Sequence, residues 1–481
     1  MRHSIVLASI LALTTACVPQ KQWRGKPVLT TGSTAPADLE DGFYLAPDSK
    51  EKRIYSLSFV EFGNDGHFRN PQQMDEALMA IDRADQRSNH HALIVVFVHG
   101  WKNNAGKFNN NVLDFRRQLN RIAREVCGAS AETCGVAGIY FGWNGDQVKQ
   151  EWGTLRQASI FNRRGVARQV AGGDIGQGLL KVMKHVKEGQ DHEGNLSVVV
   201  GHSFGGLILE AAITDKMKQV GRQLSSQIKR GTNVESYTSP ILRELADLIV
   251  LINAAVPAVE AVNLLAEYRQ ELQRVHFLLR PRGPQPPEPN CAPNDTRQDC
   301  KSLSHPLLLA VSSESDLATN LLLPISERIS PSKISPNPGV EEQLPKGLDA
   351  KMLRSNAAAH TPQLHSHQLV ECDGADCSPC LKRDKYYIPI RIKNLPAFAR
   401  GNETRKDMPL NYCLERRDFS AWNQTPFWIF NLPTTIVPDH SEIFTDRFTD
   451  FLTAFLPPLV KVMSATAAPI QATRKSEEAG R

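Results

Sequence analysis

The sequence predicts an α/β fold built on a mostly parallel sheet. Three observations carry this reading. Short apolar runs alternate along the chain with longer stretches of helical period. Two of these runs, Ala92–Val98 and Leu196–Val200, are almost continuous, as strands covered on both faces are. Each is followed directly by a glycine-containing turn. The composition agrees: 481 residues with 41% hydrophobic and 22% charged side chains supply a sizeable core, unlike a disordered or fibrous chain.

Taken in order, Tyr55–Phe62 alternates apolar and polar residues as a strand does. Gln72–Ala84 sets Met74, Ala77, Leu78 and Ile81 at helical spacing. Ala92–Val98 is a buried strand, Asn109–Val126 an amphipathic helix and Val136–Trp143 another strand. Gln147–Glu188 has helical period with Arg- and Gln-rich faces. Leu196–Val200 (strand), Leu207–Val220 (helix), Leu248–Ile252 (strand), Ala258–Glu271 (helix) and Leu307–Val311 (strand) continue the alternation, and Phe427–Phe430 is the last strand before a helix from Thr445 to Leu456. Residues 321–425 break the rhythm with Pro, Gly, His and four cysteines. A structureless loop of that length does not suit a compact domain, so the segment reads as a disulfide-stapled insertion or lid over one end of the sheet. The expected organisation is a signal peptide at 1–16, a tether at 17–52, a core at 53–320, the insertion at 321–425, completion of the core at 426–463 and a disordered tail at 464–481.

The first residues have the pattern of a targeting segment. Arg2 and His3 precede the apolar stretch Ile5–Leu13, and small residues lead to Cys17. Leu13-Thr14-Thr15-Ala16-Cys17 resembles a bacterial lipobox. That resemblance implies a lipid-bearing Cys17 after cleavage and, with Val18 rather than Asp next to it, an outer-membrane protein facing the periplasm. A plain signal peptide cut after Ala16 is the alternative. No apolar run reaches the roughly 18 residues of a spanning helix. A net charge of +5 with scattered basic residues gives no footprint for nucleic acid.

Nine cysteines are present, and setting Cys17 aside leaves an even number. In an oxidising compartment this suggests disulfides. Cys127 with Cys134 and Cys291 with Cys300 could each close a small loop; Cys372, Cys377, Cys380 and Cys413 admit three pairings. His360, His365 and His367 beside that last group raise a zinc site as a competing reading, but the spacing fits no strong template, and disulfides are favoured. Cys377-Ser-Pro-Cys380 has redox-motif spacing without the surrounding βαβ pattern.

Chemistry concentrates at Gly201-His202-Ser203-Phe204-Gly205-Gly206. A Gly-x-Ser-x-Gly between an apolar strand and a helix presents a serine hydroxyl on a sharp turn, with the helix amides aimed at developing negative charge. A second strand ends in His99-Gly100-Trp101. Together with Val95–Ala105 and Phe141-Gly142-Trp143, these motifs resemble the α/β-hydrolase superfamily, in particular a lipase/esterase-like group of serine hydrolases. The likeness spans about Arg53 to Leu456. It implies an α/β-hydrolase fold and a triad in the chain order serine, acid, histidine. Ser203 is the expected nucleophile. The acid should follow Leu307–Val311, where Glu314 and Asp316 both stand; the superfamily's spacing favours Asp316, and capping the next helix is the alternative for either. His440, on the loop after the last strand, is the expected base. Phe204 and Trp101 would supply the oxyanion amides. His99 and His202 are read as loop supports; Trp143 and Trp152 could line an acyl pocket, although core packing is the commoner fate of Trp.

The expected activity is cleavage of a carboxylic ester through an acyl-enzyme, with no metal or organic cofactor required. The expected partners are a small-molecule or lipid-like acyl substrate and the membrane, through the lipid anchor. A peptidase or amidase on the same fold, or a non-catalytic envelope binding protein, are the alternatives.

Overall fold

The structure is a computed structural model of the chain. It describes residues 22–24, 40–44, 52–88, 90–127, 135–146, 153–187, 194–214, 216, 246–267, 306–329, 334–337, 340, 344, 347–372, 387–392, 410–417 and 427–455. The strands of the main sheet are β1 (Glu40–Tyr44), β2 (Lys52–Glu61), β3 (Leu93–Val98), β4 (Val136–Gly142), β5 (Leu196–His202), β6 (Leu248–Ile252), β7 (Leu308–Ser313) and β11 (Phe427–Leu432). They lie in the order β1-β2-β4-β3-β5-β6-β7-β11. β1 pairs antiparallel with β2, and every other pair is parallel. This is an α/β architecture with a mostly parallel sheet flanked by helices.

Alternation along the strands sorts the core into two layers. Ile94, Val96 and Val98 of β3 face one layer with Met74, Ala77 and Ile81 of α1 (Gln72–Arg87). Leu93, Val95 and Phe97 face the other, with Val112, Phe115 and Leu119 of α2 (Asn110–Cys127). All six β3 residues are buried, which is why the run is continuously apolar. Burial of each such side chain contributes about 1.5–3 kcal/mol. The helical stretch after β4 is two helices, α3 (Gly153–Ala171) and α4 (Asp174–Lys187), broken at Gly172-Gly173. The helix after β5, α5, is described over 204–214, and that after β6, α6, over 258–267. α7 (Leu317–Ile329) follows β7, and α9 (Asp446–Thr453) covers the second layer through Phe448 and Phe451.

Chain order reverses beside β3. The connection leaving β3 runs to β4 on one side, and β5 lies on the other side with β6 and β7 beyond it. The loops leaving the carboxyl ends of β3 and β5 therefore diverge and open a crevice between them.

Two features add detail that the sequence pattern did not carry. The stretch read as a tether contains β1, whose five residues gave no legible period. It also contains Trp23 and Arg24, whose backbone N–H groups both donate to the Glu61 carboxylate, at 2.8 and 2.9 Å. The Arg24 guanidinium lies 3.5 Å from the centre of the Phe59 ring. The chain is thus held to the sheet a few residues beyond Cys17. Segment 321–425 carries regular structure of its own: α8 (Ala350–Ser355) and an antiparallel sheet of β8 (His367–Cys372), β10 (Leu410–Arg416) and β9 (Tyr387–Ile392). It meets the edge strand β11, where Ser366 N–H donates to Ile429 O at 2.9 Å and the His367 ring lies 4.2 Å from that of Trp428.

Cys17, Cys134, Cys291, Cys300, Cys377 and Cys380 lie outside the described residues. Cys127, Cys372 and Cys413 stand on α2, β8 and β10, but their side chains lie outside them too. The register sets Cys413 opposite Val370 and Cys372 opposite Asn411. The signal segment, Trp152 and the tail from 464 are likewise outside. Among the described residues no helix is long and apolar enough to cross a membrane.

Candidate active site

Ser203 occupies the turn between β5 and α5 with φ +55°, a left-handed conformation that costs a non-glycine residue about 1–2 kcal/mol. The surrounding backbone over-determines it. Its N–H donates to Ile252 O at 3.2 Å, and its carbonyl accepts from Gly206 N at 3.1 Å and Ala255 N at 3.2 Å. The turn fits only because its neighbours lack side chains. A Cβ on Gly205 would stand 2.1 Å from Val98 O, and one on Gly100 would stand 2.8 Å from Ser203 Cβ. These two glycines let the turns after β3 and β5 touch.

His440 lies on the loop after β11. Its Nε2 is 2.9 Å from Ser203 Oγ and its Nδ1 is 2.8 Å from Asp316 Oδ1. With a carboxylate at Nδ1, the proton sits there, and Nε2 is left to accept from the serine hydroxyl. Asp316 follows β7 and is buried. Its Oδ1 also accepts from Thr319 N at 3.1 Å, its Oδ2 from the Thr319 hydroxyl, and His360 Nε2 stands 3.4 Å from Oδ2. Burial alone would raise the Asp316 pKa, but hydrogen bonds from His360, His440 and Thr319 outweigh it and hold the carboxyl well below the usual range. Asp316 thus caps α7 and holds His440 at once. Glu314 is exposed.

The His440 loop is tied down by its own backbone. The His440 carbonyl accepts from His202 Nε2 at 2.8 Å and from Asn253 Nδ2 at 3.0 Å. The same amide donates to Asp439 O at 3.0 Å, and Asn253 Oδ1 accepts from Ser313 N at 2.8 Å. Asn253 is fully buried at the end of β6 with φ +47°. One side chain therefore joins β6, β7 and the histidine loop. Burial and the neighbouring His440 lower the His202 pKa to about 3, so this histidine is a neutral donor. Burial likewise lowers His99 to about 4. His99 Nε2 accepts from Trp143 N at 3.0 Å and Nδ1 donates to Gly100 O at 2.9 Å, which fixes the turn after β3. Trp143 is buried and donates from its indole to His99 O at 2.7 Å. It supports that turn and does not line the cavity.

A cavity of about 600 Å³ opens at Ser203, and Trp101, Phe204 and His440 are among its lining residues. Phe204 is the first residue of α5, where a helix amide has no carbonyl one turn back. The three histidines considered as metal ligands go to separate partners: His360 to Asp316, His365 Nε2 to Ala359 O at 2.9 Å, and His367 Nδ1 to Ser366 Oγ at 2.9 Å.

Of the sequence-predicted residues, Ser203, His440 and Asp316 come together, Phe204 and Trp101 flank them, and Glu314 does not join. Sequence reasoning missed Asn253, Thr319 and the contact of His360 with Asp316. Asn253 carried one usable signal, a polar residue directly at the end of an apolar strand. No protein-family model matches the chain, and comparison with curated proteins finds no match.

Proposed function

We propose that the protein is a serine hydrolase on an α/β-hydrolase fold that cleaves carboxylic esters through an acyl-enzyme. The observation that carries the reading is the continuous relay from Ser203 Oγ through His440 to Asp316, with contacts of 2.9 and 2.8 Å. A serine hydroxyl is too weak an acid to attack a carbonyl at neutral pH. Its proton passes to His440 Nε2 as Oγ bonds to the acyl carbon. Asp316 holds the imidazole in the required tautomer and stabilises the imidazolium. The oxyanion is held by the amides of Phe204 and Trp101; in comparable sites one such donor contributes about 3–4 kcal/mol. His440 then protonates the leaving alkoxide. Water repeats the sequence, releasing the carboxylic acid and restoring Ser203.

The resemblance of residues 13–17 to a lipobox supports a lipid anchor at Cys17 and a place in the cell envelope. The test of activity is hydrolysis of p-nitrophenyl acetate. The wild-type chain should turn over, and Ser203→Ala and His440→Ala should each lose that activity while keeping the wild-type circular-dichroism spectrum. Unchanged turnover in folded Ser203→Ala would refute the proposal.

A further inference from the structure

The cavity at Ser203 has two unlike flanks. We infer, on the basis of the hydrolase reading above, that the substrate is an ester of a short acyl group with a carbohydrate or similar polyol. On the side of β3 and β4, the lining includes Asn103, Asn109, Asn110, Asn111, Asp114 and Asp146. On the side of β6 and β7 it includes Ala255, Ala318, Thr319 and Leu323. Sheet order puts these sets on opposite sides of β5, with the nucleophile between them.

The chemistry of the β3 flank selects the ligand. Asn103 donates to Trp101 O, and Asn109 and Asn111 accept from Asn111 N and the Tyr140 hydroxyl, while Asn110 is exposed. A primary amide has an acceptor and two donors, so this wall keeps groups of both kinds for hydroxyls, which themselves donate and accept. A long acyl chain laid there would strip water from these groups without replacing it, at about 1–3 kcal/mol for each one left unpaired. Lys102 also lines the cavity, but its ammonium is placed 4.1 Å from the centre of the Trp101 ring. Phe108 lines the cavity with 83% of its surface exposed. Its flat apolar face suits the C–H face of a sugar ring, whose rim of hydroxyls then meets the amides. The small residues Ala255 and Ala318 suit a short acyl part. In the reaction, Ser203 Oγ takes the acyl carbon, the bond from that carbon to the sugar oxygen breaks, and the sugar leaves as an alcohol with the proton from His440.

The test compares kcat/KM for methyl 6-O-acetyl-glucoside, ethyl acetate and p-nitrophenyl palmitate, with fluorophosphonate labelling of Ser203 run in parallel. The sugar ester should exceed ethyl acetate at least roughly tenfold, and Asn110→Ala and Phe108→Ala should each lower that ratio several-fold, a loss on the order of one hydrogen bond or one ring contact. Both side chains are exposed, so neither change disturbs the core. A ratio near one, ratios unaffected by both variants, or preference for the palmitate would overturn the inference while labelled Ser203 leaves the hydrolase reading standing. A folded protein that neither labels nor hydrolyses any ester would overturn both.

Discussion

Asn253→Ala should damage activity far more than its distance from the scissile bond suggests. The side chain makes three hydrogen bonds, to Ser313 N, Asp439 O and His440 O. At about 0.5–1.5 kcal/mol each, with about 1 kcal/mol for holding alanine at a left-handed φ, the loss of stability comes to about 2.5–5.5 kcal/mol. His202 still donates to the His440 carbonyl at 2.8 Å, so the loop loosens without detaching. A displacement of about 1 Å in the base is enough to cost on the order of 100-fold in rate. Urea unfolding followed by fluorescence measures the first effect, and steady-state hydrolysis of p-nitrophenyl acetate the second, with kcat falling and KM little changed. Asn253→Asp separates geometry from volume. It keeps the acceptor for Ser313 but turns an acceptor toward two carbonyls, and should lose activity comparably. A folded Asn253→Ala or Asn253→Asp variant with kcat within about twofold of wild type would refute the reasoning.

Three further outcomes are expected. Asp316→Asn favours the wrong imidazole tautomer and should lower kcat by on the order of 10⁴-fold, whereas Glu314→Gln, at an exposed position, should stay within about twofold in the same assay. Glu210 on α5 is buried, and burial together with neighbouring Glu260 pushes its pKa up, from 4.5 to about 8, against the opposing pull of Thr214 and Arg168. The folded state thus favours the protonated acid: that stabilisation is complete below about pH 4.5 and is lost as pH rises through about 8, so the thermal midpoint should fall more steeply over this window in wild type than in Glu210→Gln. Cys17 should carry lipid: the protein should fractionate with membranes and Cys17→Ser should not, and a soluble wild-type chain with an unmodified Cys17 would contradict this.

How legible each part was follows from where its signal lay. β3 and β5 are buried on both faces, so their apolar runs stand out against any background. The turn at Ser203 was legible because its strain leaves glycines in the sequence, and Gly205 can hold nothing larger. Chain order points to His440 and spacing from a strand end to Asp316, and the structure sets these two side chains 2.8 Å apart. β1 was not legible: a short antiparallel edge strand takes its stability from pairing with β2 more than from its own period. The three-stranded sheet β8-β10-β9 was hidden for the same reason: its strands are separated in the chain and, among the described residues, take their ladder from one another. Asn253 acts through side-chain bonds to Ser313, 60 residues away, and to Asp439 and His440, 186 and 187 away, and His360 through its contact with Asp316, 44 away, distances no local pattern records.

Ser203 as the nucleophile, activated by His440, is the step on which the proposed activity stands. Its most direct measurement is mass-spectrometric peptide mapping of the purified chain after treatment with a fluorophosphonate. One stoichiometric adduct is expected on the peptide containing Ser203, absent from Ser203→Ala and formed far more slowly in His440→Ala. An adduct on another residue with Ser203 unmodified, or labelling of Ser203 at the same rate without His440, would contradict it.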